Sequence, residues 1–238
     1  MKYRNTVPAK FISRPNRFVA TVDINGTTET VHVKNTGRCR ELLLPGCDVV
    51  LEKSENSNRK TKYDLIATFK NGLGWVNIDS QAPNCVVREW LEGRPEPFRD
   101  AAVIKPEYTF GRSRVDFYME CPDRKILMEV KGCTLEMGGI GYFPDAPTER
   151  GVRHLRELKT GIGEGYDCYI AFVIALPGVK RVLPNMETHP EFGIALEEAR
   201  KAGVKVLFLT CDVRPDSLTV LECLEEERPL FETNSGVV

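Results

Sequence analysis

The sequence predicts a β domain followed by an α/β domain with a mixed sheet, which is the fold class α/β plus β. Three observations support this prediction. Short strand-like segments separated by Gly and Pro fill the first third of the chain, a hairpin pattern follows in the middle, and two strongly apolar runs flank a helix in the last third. A chain of 238 residues that is 42% hydrophobic and 28% charged can bury the core that one or two domains need.

The first domain is predicted to consist of five short strands, with a hairpin turn at Asn25-Gly26. Such strands are compatible with a small closed barrel, including an OB-type barrel, although their periodicity alone does not distinguish one barrel type from another. Between the third and fourth strands, residues 35–46 are expected to form a turn, a short helical piece and a Pro-Gly stop. The five strands are expected at residues 10–13, 18–24, 28–33, 49–53 and 64–68.

A helix predicted from Asp79 to Leu91 opens the second domain, so the boundary is placed near residue 82. The predicted domains are therefore 1–82 and 83–238. Near the end of the chain, the acidic run at residues 222–227 is predicted to be a solvated helix.

The second domain is predicted to have a central sheet covered on both faces. Residues 168–176 and 204–209 are almost entirely apolar, as buried strands are, and a helix is expected between them at 190–202. Another helix is predicted at 148–161, with a polar edge that includes Arg150, Arg153, His154 and Glu157. His154 could take part in proton transfer there, although a lone histidine is more often structural.

The most informative feature is a central hairpin, predicted as strands 115–120 and 125–131 around a short turn. In an antiparallel hairpin of this length, Asp116 lies directly opposite Glu129. Because strand side chains alternate, Glu129 and Lys131 point to the same side, while the apolar residues between them point to the other layer. All three charged groups can therefore converge on one face.

Two carboxylates and a lysine at this spacing are the residue types of a metal-dependent phosphodiesterase site. Asp116 and Glu129 offer hard oxygen ligands that can hold Mg²⁺ or Mn²⁺, with open positions for a phosphate oxygen and a water. The ammonium group of Lys131 can orient the attacking water or offset charge in the transition state. The same trio could instead form a cross-strand charge pair on a solvated face.

A net charge of −1 conceals an uneven distribution. Residues 1–80 hold 13 of the 33 Lys and Arg residues but 8 of the 34 Asp and Glu residues, a net charge of +5 that leaves −6 for the rest. Basic residues attract phosphates by releasing condensed counterions, so the first domain is the predicted nucleic-acid-binding surface, unless its basic loops are merely solvated. The candidates, together with two arginines of the 148–161 helix, are Arg14, Arg17, Arg38, Arg40, Arg59, Lys60, Lys62, Arg150 and Arg153.

Several other classes of protein are not indicated by the sequence. The eight cysteines are scattered singly without a Cys-x-x-Cys pair, which argues against a zinc site and for reduced thiols. The glycine-rich segment 136–142 lacks the lysine of a P-loop and is predicted to be a mobile flap beside the site. Because no apolar run approaches the length of a membrane span, we expect a cytoplasmic protein with no membrane partner.

Several motifs make the chain similar to a known family. Along nearly its whole length the sequence resembles the sugar fermentation stimulation protein A (SfsA) family. The resemblance implies an N-terminal OB-type barrel, a following domain similar to the PD-(D/E)xK nucleases, and DNA binding. The motifs that carry it are Asn35-Thr36-Gly37-Arg38, Gly111-Arg112-Ser113-Arg114, Lys131-Gly132-Cys133-Thr134-Leu135 and the stretch from Phe143 to Leu158.

The resemblance also implies roles for individual residues. It puts Asp116 at the aspartate of the nuclease motif, Glu129 at its acidic position and Lys131 at its lysine. Glu107 would be the upstream acid, so Asp116, Glu129 and Glu107 would be the metal ligands. The chain departs from the family pattern at Cys39, at Pro147 and at Gly132-Cys133, none of which is a proposed ligand.

The leading hypothesis is therefore a DNA-binding protein with a nuclease centre that depends on Mg²⁺ or Mn²⁺ and binds DNA without sequence preference. The alternative is a non-cleaving DNA-binding regulator of sugar-metabolism genes that retains the nuclease fold. A third hypothesis is an interaction or RNA-processing module whose barrel recognises single strands. An oligomer is compatible with each of these.

Overall fold

The structure is a computed structural model that describes residues 1–35, 37–56, 58–111 and 113–230. Thr36 and Arg112, which belong to two of the motifs above, lie outside these ranges. The first domain is built from six strands, β1 Thr6–Asn16, β2 Val19–Ile24, β3 Thr27–Val33, β4 Asp48–Lys53, β5 Tyr63–Lys70 and β6 Gly74–Asn77.

The first five strands form a closed barrel. They pair in the order β3-β2-β1-β4-β5, and a parallel pairing between β3 and β5 closes the ring, while β6 extends the sheet beyond β5. The turn between β2 and β3 has positive φ at both Asn25 (51°) and Gly26 (85°), as the predicted hairpin turn requires. The five predicted strands are confirmed, whereas β6 was not predicted.

The short helix expected within residues 35–46 does not form. Cys39 has a positive φ of 45°, and the amide of Leu43 donates to the Cys39 carbonyl at 3.0 Å in a single turn that the chain does not continue. Leu42 and Leu43 are buried by this turn in the core of the barrel. The segment is therefore a folded loop that packs against the barrel.

The second domain has a six-stranded mixed sheet with three helices. In the sheet order β15-β14-β12-β9-β8-β7, the strands β9, β12 and β14 are parallel and the other pairings are antiparallel. Its elements are α1 Ala82–Glu92, β7 Val103–Phe110, β8 Ser113–Glu120, β9 Lys125–Cys133, β10 Leu135–Met137, β11 Ile140–Phe143, α2 Glu149–Gly163, β12 Asp167–Ile174, β13 Val182–Pro184, α3 Pro190–Lys201, β14 Lys205–Arg214 and β15 Ser217–Glu225.

Helices cover both faces of this sheet, as the apolar runs predict. On one face, α2 and α3 bury residues such as Leu155 and Phe192 against Ile170 and Phe172 of β12. On the other face, α1 packs with Met128 and neighbouring residues of β9. The strand β12 is buried on both sides because it lies between β9 and β14 near the middle of the sheet. The first domain likewise belongs to the core cluster that contains α2 and α3.

One prediction for the second domain is wrong. The acidic run 222–227 lies largely in β15, an edge strand that folds back on β14, because the turn after Arg214 allows antiparallel pairing from Arg214↔Ser217 to Leu207↔Glu225.

The glycine-rich segment 136–142 forms the β10–β11 hairpin, and β11 pairs in parallel with β13 in a three-stranded sheet. The mobility of this segment stays a prediction.

The ends of the two domains meet. The helix α1 begins at Ala82, and the amide of Tyr3 donates to the Asp216 carbonyl at 2.8 Å, so the first residues of the chain contact the second domain. Within the described residues, no helix is long and apolar enough to cross a membrane.

Candidate functional site

A cleft of about 440 Å³ lies between the two domains. The barrel contributes the loop around Gly37 and residues 77–80 that follow β6, and the second domain contributes β8, β9 and the first residues of α1 and α2. The predicted residues Asp116, Glu129, Lys131 and Arg150 all line this cleft.

The predicted hairpin register is confirmed. The strands β8 and β9 pair up to Phe117↔Met128, and the same register continued by one residue sets Asp116 opposite Glu129. At this point Asp116 Oδ2 accepts a hydrogen bond from the Val130 amide at 2.7 Å, and its Oδ1 accepts one from Asn84 Nδ2 at 2.8 Å. The carboxylate is thus fixed by two donors before any ligand binds.

Asn84 reaches Asp116 because α1 packs very closely on β9. A Cβ atom at Gly132 would lie 2.8 Å from Pro83 Cγ, so a larger residue there would push the start of α1 away. The sequence-based prediction did not identify Asn84 as a site residue. Its contact depends on this close packing between two elements that are far apart in the chain.

Glu129 is buried, with a relative exposure of 1%. Its Oε1 accepts hydrogen bonds from both Lys131 Nζ and His154 Nδ1. Its Oε2 is also buried, and within the described residues it has no hydrogen-bond partner. A buried polar atom without a partner costs about 1–3 kcal/mol, and Glu129 is one of the residues that line the cleft.

His154 belongs to this network, and its predicted place on a polar edge of α2 is wrong. It is 3% exposed and lies on the buried stripe of α2 with Gly151, Leu155 and Leu158. Its Nε2 accepts from Arg150 Nε at 3.2 Å, so the proton of the neutral ring is on Nδ1 and is donated to Glu129. The i, i+3, i+4, i+7 spacing of this stripe was visible in the sequence and could have indicated the burial.

The two carboxylates have pKa values that are shifted in opposite directions. Burial, and then the charge of Glu129, raise the pKa of Asp116 to about 6. Burial alone would also raise the pKa of Glu129, but Lys131 and His154 outweigh it and hold that pKa below the ordinary value. Neighbouring acids with separated pKa values are typical of functional sites.

The structure does not bring Glu107 into the cleft, so its predicted role as third metal ligand is not supported. Glu107 is exposed, has a positive φ of 53°, and pairs with Arg114 at 3.2 Å. The pairing of β7 with β8 keeps one register from Val103↔Glu120 to Phe110↔Ser113 but omits Glu107. The Glu107 backbone departs from strand geometry by its positive φ, and its side chain pairs with Arg114 at the surface.

Asp145 also lines the cleft, and the sequence-based prediction did not identify it as a site residue. Its Oδ2 accepts a hydrogen bond from Cys39 Sγ at 3.9 Å, and burial raises the pKa of the carboxyl. A Cβ atom at Gly37 would collide with this carboxylate, so only glycine allows the barrel loop to approach so closely. This contact joins the two domains directly above the hairpin.

Four of the predicted nucleic-acid-binding residues meet in a groove of about 670 Å³ beside the cleft. Arg17, Arg38 and Arg40 are exposed along it. Arg14 has a structural role instead, because its guanidinium donates to the carbonyls of residues 17, 35, 37 and 38. We call this surface, lined by Arg14, Arg17, Arg38 and Arg40, the basic groove.

The other predicted basic residues lie elsewhere. Arg59 donates to both carboxylate oxygens of Asp64, at 2.8 and 2.6 Å, and Lys62 pairs with Glu29 at 3.2 Å. Lys60 is exposed in the same loop. In α2, Arg153 is exposed and does not line the cleft, whereas Arg150 does.

The cleft suits a hard divalent cation that is completed by substrate. Within the described residues, no three His, Cys, Asp or Glu side chains are grouped as metal ligands. Mg²⁺ and Mn²⁺ are commonly bound by one or two carboxylates, with waters and substrate phosphates as the remaining ligands. Asp116 and Glu129 are the two carboxylates of the cleft floor that could hold such an ion.

Two domain models of one protein family match the chain. The SfsA N-terminal OB domain matches residues 12–78, and the sugar fermentation stimulation protein RE domain matches residues 81–217. The chain belongs to the sugar fermentation stimulation protein family. The predicted family is therefore confirmed, as is an OB barrel followed by a mixed-sheet α/β domain.

Several relatives in the SfsA family match over nearly their whole length. The sugar fermentation stimulation protein homolog of Desulfitobacterium hafniense (strain DSM 10664 / DCB-2) is 53% identical over 218 residues, covering 92% of this chain and 94% of that protein. The homolog of Clostridium beijerinckii is 50% identical over 225 residues, covering 94% and 99%. The solved structure of Pyrococcus furiosus SfsA in complex with Ca²⁺ is similar with a TM-score of 0.83 at 29% identity, covering 94% and 95%.

Proposed function

We propose that this SfsA family member is a divalent-metal-dependent phosphodiesterase that cleaves DNA. The observation that carries the proposal is the state of Glu129. One of its oxygens is held by Lys131 and His154, while the other is buried without a partner among the described residues, in a side chain that lines the cleft together with Asp116. A cation at that oxygen would satisfy it, and would also favour the ionised form of Asp116.

A related protein supports the cation. Pyrococcus furiosus SfsA was solved in complex with Ca²⁺, a cation that also prefers oxygen ligands. In the present chain, Asp116 and Glu129 would hold Mg²⁺ or Mn²⁺. When bound, such an ion supplies Lewis-acid polarisation of a phosphate oxygen and a water of lowered pKa.

The chain's own residues would position the substrate. Lys131 Nζ donates to Glu129 Oε1 and lies at the cleft, where it can orient a water or offset the charge that develops on the phosphate. Arg150 lines the same cleft, and its bond from Nε to His154 fixes the direction of the guanidinium. The free end of that guanidinium is suited to a phosphate oxygen.

Two further features favour a nucleic acid as the phosphodiester. The helix α2 begins at the cleft, and Thr148 caps it by accepting from the Gly151 amide, so the positive end of its dipole faces an anion there. The basic groove adjoins the cleft and carries exposed arginines. A nuclease domain similar to the PD-(D/E)xK enzymes would use both the start of α2 and the basic groove to hold its substrate.

The second candidate is a non-cleaving DNA-binding regulator of sugar-metabolism genes. It is favoured by the name of the family, which refers to stimulation of sugar fermentation. The basic groove would serve either function. The open Glu129 oxygen favours cleavage, because a regulator needs no unsatisfied carboxylate in its cleft.

Cleavage of labelled single-stranded and duplex DNA with Mg²⁺ or Mn²⁺ tests the proposal. We expect activity from the native protein and none from Asp116→Ala or Lys131→Ala. Glu222→Gln, an exposed carboxylate on β15, is the matched control and should keep full activity. Equal activity in all four proteins would indicate a contaminating nuclease, and no activity in any would favour the regulator.

A further inference from the structure

We propose, on the basis of the proposed phosphodiesterase function, that the substrate reaches the cleft as a single strand. The strand would run along the basic groove, cross the ridge formed by Ala146 and Pro147, and enter the cleft above Glu129. This inference concerns the form of the nucleic acid and the surface that selects it.

The basic groove and the cleft are continuous. Gly37, Ala146 and Pro147 line both, so one ridge is their common wall. The close approach of Gly37 to the Asp145 carboxylate and the bond from Cys39 Sγ to Asp145 Oδ2 join the barrel to this wall. A nucleic-acid strand in the groove therefore reaches the cleft by crossing this one shared wall.

The charges of the groove are available to a ligand. Arg17, Arg38 and Arg40 are exposed, and none of them has an acidic partner within 4.0 Å among the residues that the structure describes. Arg14 anchors the loop that carries Arg38 through its bonds to the loop carbonyls. The groove thus presents exposed positive charges, without ion-pair partners among the described residues, that suit a phosphate backbone.

Apolar surface lies between these charges. Ile12 is 40% exposed, and the exposed Pro45 and Pro147 also line the groove. At the edge of the groove, Phe18 is 50% exposed with the Arg17 guanidinium 4.9 Å from its ring centre. Unpaired bases gain free energy by lying on such surfaces, whereas the bases of a duplex are already stacked on one another.

The floor of the cleft is buried between the two domains. Both domains wall the cleft, its volume is about 440 Å³, and Glu129 at its floor is 1% exposed. Pockets of this size hold a ligand of about one nucleotide. A phosphodiester within a duplex would have to separate from its partner strand before it could reach Glu129.

Binding of fluorescent oligonucleotides to the native protein in EDTA tests the inference without requiring cleavage. We expect a short single strand to bind at least about tenfold more tightly than a blunt duplex of the same sequence. The double variant Arg38→Gln/Arg40→Gln should lose at least about tenfold in affinity for the single strand. The control Lys201→Gln, an exposed lysine on α3, should bind like the native protein.

Tighter or equal binding of the duplex would overturn the inference, as would unchanged affinity in the double variant. Cleavage of a blunt duplex with Mn²⁺ as fast as the single strand would also overturn it. If no DNA is cleaved but the single strand binds preferentially through the groove, the single-strand path stands and only the proposed cleavage fails.

Discussion

The floor of the cleft and the basic groove both carry charges, but in opposite states. In the cleft, Glu129 and His154 are buried and bonded to fixed partners. In the groove, Arg17, Arg38 and Arg40 are exposed to solvent. Buried charges interact strongly and cannot move to compensate for a lost partner, whereas exposed charges are screened by water and salt. Chemistry is therefore expected to depend on the cleft, and affinity on the groove.

The substitution Glu129→Gln, in the floor of the cleft, should have the largest effect of all on the cleavage rate and almost none on DNA binding. Lys131 and His154 can still donate to the amide oxygen, so the fold should persist, but the open carboxylate oxygen is lost. We expect cleavage of single-stranded DNA in Mn²⁺ to fall by about 10²–10³-fold or more, with binding in EDTA nearly unchanged. Single-turnover rates and oligonucleotide binding measure both. A rate within a few-fold of the native value would contradict the role of Glu129.

A smaller effect is expected when only the support of Glu129 is removed. His154→Ala deletes the Nδ1 donor that fixes Oε1, and supporting residues of this kind typically cost about 10–100-fold in metal affinity. Titration calorimetry with Mn²⁺ measures the loss. His154→Asn, whose side-chain amide can replace the Nδ1 donor, should recover part of the affinity. If Ala and Asn behaved alike while both proteins stayed folded, the hydrogen bond would have no positioning role.

The free energy of unfolding should depend on pH through the buried carboxylate of Asp116, whereas the exposed arginines of the groove should contribute no such dependence. Because the folded-state pKa of Asp116 is raised to about 6, the folded protein binds this proton more tightly than the unfolded chain does. The contribution of Asp116 is therefore favourable at low pH and is lost as pH rises from its ordinary pKa through about 6. The shift corresponds to roughly 2–3 kcal/mol.

Urea unfolding in EDTA at about pH 5 and about pH 7.5 measures this contribution. Native protein should lose more stability over that interval than Asp116→Ala does. The bonds from Val130 and Asn84 favour the ionised carboxylate and are already part of the pKa of about 6, so the difference between the two pH profiles reports the net shift. Identical pH profiles for the two proteins would show that Asp116 is not held in a raised-pKa environment.

The smallest expected effects are changes in the salt dependence of DNA binding. They compare two surfaces of the barrel, the basic groove and the 59–62 loop. Arg38→Gln and Arg40→Gln should each reduce the slope of log affinity against log salt by about 0.7 for a single strand. Lys62→Gln should change it less, because Lys62 already pairs with Glu29. Equal changes in slope would mean that the strand contacts both surfaces of the barrel.

Features that depend on local sequence were predictable. The register of the β8–β9 hairpin follows from strand alternation and a short turn, which set Asp116 opposite Glu129 and put Lys131 on the same side. The acidic run at 222–227 was wrongly predicted because its composition suits a solvated helix or an edge strand equally. Pairing with β14 decided between them.

By itself, the sequence determined the family, the five strands of the barrel and, in the second domain, the central hairpin and the helices and strands α1, α2, β12, α3 and β14. Only the tertiary structure decided which residues of the site meet. In the folded protein, Glu107 pairs with Arg114 at the surface, outside the cleft. His154 contacts Glu129, and Asn84 contacts Asp116. Arg59 pairs with Asp64, whereas Arg38 is exposed. The physical reason is that periodicity fixes the face on which a side chain lies, whereas its partner is set by packing between elements that are distant in the chain.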